Sequence, residues 1–243
     1  MKILQVIGVS KSYGGRKIIE NINMSLDQTE ITCLLGLSGV GKTTLFNIIS
    51  GVESPDQGEI LLNNEDISSR PGHISYMLQK DLLIEEIPII NNIILPMRLR
   101  GVKKSEAIRK ARSYLGMFGL KGYEKSYPKA LSGGMRQRAA FLRTYFMANE
   151  VLLLDEPFSA LDALTKRDMH KWYLDISKKL KLSTIFISHD IDEALFLADK
   201  IYIMKGSPGK IAKQIKIDKK GYNFTLTKDF LSYKKQILQD LKI

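Results

Sequence analysis

Residues Ile31 to Thr44 read ITCLLGLSGVGKTT, and this stretch decides the fold. Ile31 to Leu35 form an apolar run suited to a buried strand, and they lead directly into Gly36-Leu37-Ser38-Gly39-Val40-Gly41-Lys42-Thr43. That succession fits the phosphate-loop pattern, in which glycines let backbone N–H groups wrap a phosphate at the start of the next helix. Lys42 is then expected to reach β- and γ-phosphates and Thr43 to offer its hydroxyl to Mg²⁺, with a helix running toward Gly51. An ordinary glycine-rich turn has the same local composition. The apolar strand before it and the helix after it favour the phosphate loop.

Two further apolar runs, Val151 to Leu154 and Thr184 to Ile187, also fit buried strands, and they end in DEP and SHD. Parallel α/β sheets place ligands at the carboxyl ends of their strands, so three sequence-distant segments point at one site. Asp155 stands where a phosphate-loop nucleoside triphosphatase places the carboxylate that holds Mg²⁺ through its water shell. Glu156, beside it, suits a general base that orients and deprotonates water; the alternative is a helix-capping acidic pair before Pro157. In LSGGMRQR, Ser132 is a plausible N-cap, and Gly133 and Gly134 open a helix that continues through Ala139 to Phe146. This makes a second anion site. One chain thus carries two phosphate-binding devices for one nucleotide, which suggests that each is completed by a partner chain.

Outward from these motifs, Ile3 to Val9 and Ile18 to Leu26 read as antiparallel strands around a turn at Tyr13, Gly14 and Gly15. Between Gln79 and Ala148 the texture becomes helical, with Ala107, Ile108, Ala111, Leu115 and Phe118 on one apolar face, as in an inserted helical subdomain of about 80–148. The α/β texture returns after Asp162, with helices near Leu164 to Leu180 and Ile191 to Ala198, then short strands near Lys200 to Met204 and Lys210 to Ile217. A short tail is expected over about 205–243.

The net charge of +11 is lopsided: from Lys205 to Ile243 there are ten Lys, three Asp and no Arg or Glu, so seven of the eleven positive charges lie there. Lysine without interleaved arginine and stacking aromatics argues for a solvated face rather than nucleic-acid reading. The longest uncharged stretches, Ile31 to Gly41 and Ile87 to Met97, are 11 residues each, against the roughly 20 apolar residues a membrane helix requires. The N-terminus lacks a small-residue cleavage site, and a cytoplasmic location is expected. Cys33 is the only cysteine, which excludes an internal disulfide and a cysteine-based zinc site. His73 and His170 lack any metal-ligand spacing and are expected at the surface or in packing.

GLSGVGKTT, LSGGMRQR, VLLLDEP, SALD and the histidine of FISHD, in this order, resemble the nucleotide-binding subunits of ABC transporters over nearly the whole chain. The resemblance implies a P-loop NTPase fold of the ABC ATPase type: a RecA-like core, an antiparallel β subdomain and the helical insertion. It implies Walker A over Gly36 to Thr44, with Gly36, Ser38, Gly39, Gly41, Lys42, Thr43 and Thr44 on the nucleotide, and Walker B over Val151 to Glu156. Gln79 becomes the Q-loop residue that contacts Mg²⁺ and senses the γ-phosphate, and His189 the switch histidine that helps to position Glu156 and water. The signature runs from Leu131 to Gln137, the D-loop from Ser159 to Asp162, and Tyr13 matches the aromatic that stacks on adenine. Two copies, or one copy and a paralogue, are expected to hold ATP between Walker A of one and Ser132, Gly133 and Gly134 of the other.

Within the family, ISYMLQKDLL, LSGGMRQRAAFLRT, DEPFSALDALTK and KGSPGKI resemble importer ATPases of the nitrate, sulfonate and taurine group, with similar wording in importers of thiamine-precursor pyrimidines. After Gln79 that group commonly shows a Pro-Trp pair, whereas this chain reads KDLLIEEIPII where the coupling helix of a membrane subunit is normally received. The resemblance implies a peripheral position on the cytoplasmic face of the membrane, permease subunits as partners and, indirectly, an extracytoplasmic solute-binding protein. An exporter or lipoprotein-release ATPase is the nearer alternative. A soluble ABC protein acting on nucleic acid or ribosomes is the more distant one, since its usual fused second nucleotide domain or long coiled-coil insertion does not fit into 243 residues.

Overall fold

The computed structural model describes residues 1–147 and 150–241. The chain opens with β1 (Lys2–Tyr13) and β2 (Arg16–Asp27), paired antiparallel around Gly14 and Gly15. Next come β3 (Ile31–Gly36), α1 (Lys42–Ile49), β4 (Gln57–Leu62), β5 (Glu65–Asp66) and β6 (Ser75–Met77). A helical stretch follows: α2 (Ile89–Leu99), α3 (Lys104–Leu115) and α4 (Gly133–Tyr145). The α/β part resumes with β7 (Val151–Asp155), α5 (Ala163–Leu180), β8 (Ser183–Ser188), α6 (Ile191–Leu197), β9 (Lys200–Lys205) and β10 (Lys210–Lys216), and the chain closes with α7 (Tyr222–Thr225) and α8 (Lys228–Leu241).

Two sheets result. The antiparallel one has the order β2-β1-β4-β5, and the six-stranded one the order β10-β9-β3-β8-β7-β6. In the larger sheet β9, β3, β8, β7 and β6 are parallel, and β10 adds an antiparallel edge. β3, β7 and β8 are buried at every position, as strands covered on both faces must be. Alternation along β3 sends Leu34 toward α1 and the antiparallel sheet, where it meets Leu45, Phe46, Leu153 and Ile187. Cys33 and Leu35 face the opposite layer with Leu154, Phe186 and Tyr173. Pairing of Leu35 with Ser188, Asp155 with Ile187 and Met77 with Leu154 brings the carboxyl ends of four adjacent strands level. The loops that leave those ends carry the phosphate loop, Gln79, Glu156 and His189.

α2, α3 and α4 pack through Ile93, Met97, Ala107, Ala111, Leu115 and Phe141. The expected end of the helical insertion at Ala148 lies outside the described residues, as do Lys242 and Ile243. The segment after Met204, expected as a short tail with a strand near Lys210 to Ile217, forms β10 and two closing helices and is packed onto the rest of the chain. β10 pairs with β9, and Phe224, Phe230 and Ile237 of the closing helices are buried in the core. The lysines that dominate this segment hide its apolar positions in the sequence. Several are ion-paired: Lys210 with Glu20 at 2.8 Å, Lys213 with Asp240 at 2.9 Å, Lys220 with Asp199 at 2.6 Å and Lys234 with Asp192 at 2.7 Å.

Candidate functional site

The phosphate loop begins where β3 ends. Gly36 lies so close to the Met204 carbonyl that a side chain there would collide with it, and Gly41 adopts φ 100°, a conformation L side chains rarely take. α1 then starts at Lys42 with no side-chain cap, so its first N–H donors are available to an anion. The Lys42 ammonium lies back over the loop, donating to the carbonyls of Gly36 and Leu37, each at 2.8 Å. Burial pushes the Lys42 amine below its ordinary pKa, while Glu156 and Asp155 pull it upward. Ser38, Gly39, Gly41, Lys42, Thr43, Thr44 and Glu156 line one cleft of about 320 Å³. Tyr13, 46% exposed, reaches Thr44 and Glu53; burial and then Glu53 raise its phenol pKa. An exposed aromatic face at the edge of a phosphate cleft is a surface on which a base can stack.

Across the cleft, Asp155 ends β7. Its Oδ2 accepts from Thr43 Oγ1 and from the Tyr76 hydroxyl, both at 3.4 Å. Burial and the neighbouring Glu156 carboxylate raise the Asp155 pKa, with Tyr76, Thr43 and Lys42 opposing. A carboxylate and a hydroxyl converging beside an anion cleft form an oxygen donor set that suits Mg²⁺ together with phosphate. Glu156 follows at φ 44°, with its carboxylate between two other loops. Oε2 accepts from Gln79 Nε2 at 3.1 Å, and Oε1 is 3.2 Å from His189 Nδ1. Gln79 also reaches Ser159 Oγ at 3.5 Å, and that hydroxyl donates to the Glu156 carbonyl at 3.0 Å. Glu156 caps no helix: the next helix, α5, begins at Ala163 and is capped by Asp162.

The signature residues stand elsewhere. Ser132 caps α4 by accepting from Met135 N at 3.3 Å, and Ser132 and Gly133 are exposed. Gly134 is buried where a methyl would come within 3.1 Å of Thr165 Cγ2. None of the three lines the phosphate-loop cleft. Gln137 is 6% exposed, with Oε1 unpartnered, among the residues around Gln79 and Ser159. Asp162 accepts from Thr165 N at 3.1 Å and Leu164 N at 3.2 Å, and hydrogen bonding from Thr165, side chain first, then backbone, holds its carboxyl below the usual range. The structure therefore gathers Tyr13, the Gly36–Thr44 loop, Gln79, Asp155, Glu156 and His189 at one end of the sheet. Ser132, Gly133 and Asp162 present a separate surface, with Gly134 buried behind it.

Sequence reading missed the residues that hold the Gln79 segment. Arg136 grips Asp81 through Nε at 2.8 Å and Nη2 at 3.1 Å, and Nη2 also reaches Glu85 at 2.7 Å. Arg143 donates to the carbonyls of Leu82, at 2.6 Å, and Asp81. Buried Asn92 donates to the carbonyls of Ile84 and Ile87 at 3.0 and 3.1 Å and accepts from Ile84 N at 2.7 Å. The acidic pair Asp81 and Glu85, just after Gln79, was the available signal for Arg136. His170, expected at the surface or in packing, is 8% exposed and pairs with Glu193 at 2.9 Å; His73 is exposed.

Comparison with known proteins identifies the family. A family profile described as "ABC transporter" matches residues 19–159. The formylaminopyrimidine import ATP-binding protein of Halalkalibacterium halodurans is 45% identical over 201 residues, covering 82% of this chain and 78% of that protein. An aliphatic sulfonates import ATP-binding protein of Bacillus cereus is 36% identical, covering 96% and 92%. Among solved structures, cbiO1 from Clostridium perfringens, described as part of an ABC transporter complex, superposes with a TM-score of 0.81 at 24% identity, covering 97% of this chain and 95% of that one.

Proposed function

This chain belongs to the ABC transporter family, and from that premise we propose that it is the ATP-binding and ATP-hydrolysing subunit of an importer. The observation that carries the catalytic reading is the placement of Glu156. Its carboxylate is held from both sides by Gln79 and His189 and faces the cleft of Lys42 and Thr43. Lys42 leaves the Gly36 and Leu37 carbonyls for the β- and γ-phosphates, while the loop and the α1 N–H groups hold the rest of the triphosphate. Tyr13 stacks on the base. Thr43, Asp155 and Gln79 would hold Mg²⁺, which supplies charge neutralisation at the phosphates. Glu156 takes the proton of the attacking water as its oxygen bonds to the γ-phosphorus and the bond to the ADP oxygen breaks. His189 and Gln79 fix the carboxylate and the water.

Ser132, Gly133 and Gly134 serve the nucleotide of a second copy or a paralogue. The support is an N-capped helix start whose Ser132 and Gly133 are exposed, with Gly134 buried directly behind them, and which lines no part of this chain's own phosphate cleft. A groove beside Gln79, with exposed Leu78, Leu82 and Leu99 on its walls, supports docking of a permease from the cytoplasmic face of the membrane. Among the described residues no helix is long and apolar enough to cross a membrane, so the span belongs to the permease. The solute class is nitrate-, sulfonate- or taurine-like or a thiamine precursor, delivered by an extracytoplasmic binding protein; nucleic acid is no partner in this reading.

The test is a mild-detergent pull-down of the tagged Glu156→Gln chain with ATP from its native membranes. Recovery of a multi-span permease is expected. Ribosomal or DNA-repair proteins in its place would overturn the transporter reading and leave the ATPase reading standing.

A further inference from the structure

His189 carries a side chain that is 56% exposed, yet Ser188 before it is buried and Asp190 after it is held by hydrogen bonds. Ser188 is buried: its hydroxyl accepts the Asp190 N–H at 3.0 Å and donates to Glu193 Oε2. Asp190 caps α6 through Oδ1, accepting from Asp192 N at 2.9 Å and Glu193 N at 3.2 Å, and its Oδ2 takes Lys166 Nζ at 2.9 Å. The second oxygen of Glu193, Oε1, lies 2.9 Å from His170 Nε2 and 3.7 Å from Lys166 Nζ. His170 in turn stands edge-on to Phe158, with ring centroids 4.8 Å apart. Phe158 lies two residues beyond Glu156.

Glu193 is 5% exposed. A buried carboxylate is tolerated only when paired and hydrogen-bonded, and an apolar side chain would pack α6 on α5 without that cost. What the carboxylate adds is direction, because its two oxygens join the end of β8 to α5. The His189–Glu156 contact spans loops leaving β7 and β8, and the His170–Glu193 pair touches both: Phe158 on one side and Ser188 on the other. We propose that Glu193 is a positioning residue for hydrolysis: anchored by His170 and Lys166, it holds Ser188 and thereby sets His189 against Glu156. The proposal rests on the reading of His189 and Glu156 given above.

The test is steady-state ATP hydrolysis by the full chain carrying Glu193→Gln or Ser188→Ala, each alone and combined with His189→Ala, with thermal melts in parallel. Each single variant is expected to lower kcat by about 10- to 100-fold and to leave KM nearly unchanged, as misplacement at a reacting centre does. Added to His189→Ala, either change is expected to cost less than about twofold more, because groups acting through one residue are non-additive. A purely structural role would instead lower melting temperature and multiply with the His189 defect. That result, or undiminished kcat in the single variants, overturns the proposal. Ser188→Ala removes one buried oxygen and carries the test alone should Glu193→Gln not fold. Undiminished kcat in His189→Ala overturns the site reading itself, and the proposal with it.

Discussion

Replacing Glu156 with Gln removes the proton acceptor while preserving shape and the φ 44° backbone, which both side chains share equally. In the native site both carboxylate oxygens are engaged, by Gln79 at 3.1 Å and His189 at 3.2 Å. The amide keeps one acceptor oxygen for one of these partners, so at most one contact is broken, and the other continues without its charge. The loss is about 1–2 kcal/mol, discounted for the exposure of Gln79 and His189. Loss of a general base costs roughly 10²- to 10⁴-fold in rate, or about 3–5 kcal/mol of transition-state stabilisation. Stability and rate should therefore separate. Phosphate release at saturating ATP is expected to fall by about 10²- to 10⁴-fold, with ATP affinity intact, because the phosphate cleft of Lys42 and the α1 N–H groups is unaltered. Single-turnover hydrolysis with an ATP-binding titration on the same sample makes the assay. A rate within about tenfold of the parent, or loss of ATP binding with the rate, would refute the assignment of Glu156 as base.

Asp81→Asn is expected to lower the urea midpoint at neutral pH by weakening the two-pronged contact with Arg136, worth about 1–2 kcal/mol at this partly buried position. Burial opposes ionisation of Asp81, but the hydrogen bonds from Arg136 and Leu83 outweigh it and hold its pKa below the ordinary 3.8. A carboxyl depressed in the folded state stabilises fully above its unfolded value and loses that contribution as pH falls through the folded one. The gap between parent and variant should therefore close below about pH 4; a gap unchanged down to pH 3 would contradict it. Gly36→Ala drives a methyl into the Met204 carbonyl, and overpacking of about 2–3 kcal/mol should lower the melting temperature by about 5–10 °C. An unchanged melting curve would show that the loop relaxes.

The parts legible in the sequence are those with a local physical signature. β3, β7 and β8 are buried on both faces, so Ile31–Leu35, Val151–Leu154 and Thr184–Ile187 stand out as apolar runs, each ending in its functional residue. The N-cap at Ser132 is visible because a hydroxyl precedes two glycines and a helical pattern. β6 carries no such signature: three residues, Ser75–Met77, are held by pairing with β7. α8 is masked by lysines whose partners, among them Asp192 on α6, lie far away in sequence. Arg136 and Asp81 are 55 residues apart, and His170 and Glu193 are 23 apart, so neither pair leaves a local pattern. Long-range polar pairing is the information that only the folded chain supplies.

In the proposed sandwich each catalytic site is built from two chains, Walker A of one and the α4 start of the other. The decisive experiment mixes Lys42→Ala protein with Ser132→Arg protein, each inactive alone because every site in its homodimer lacks one half. In a mixed dimer one site has both halves intact, and random pairing places about a quarter of the parent's sites in that state. ATP hydrolysis rising from background toward about a quarter of the parent rate on mixing is the predicted result. Activity that stays at background across all mixing ratios, while both proteins still dimerise, would contradict it.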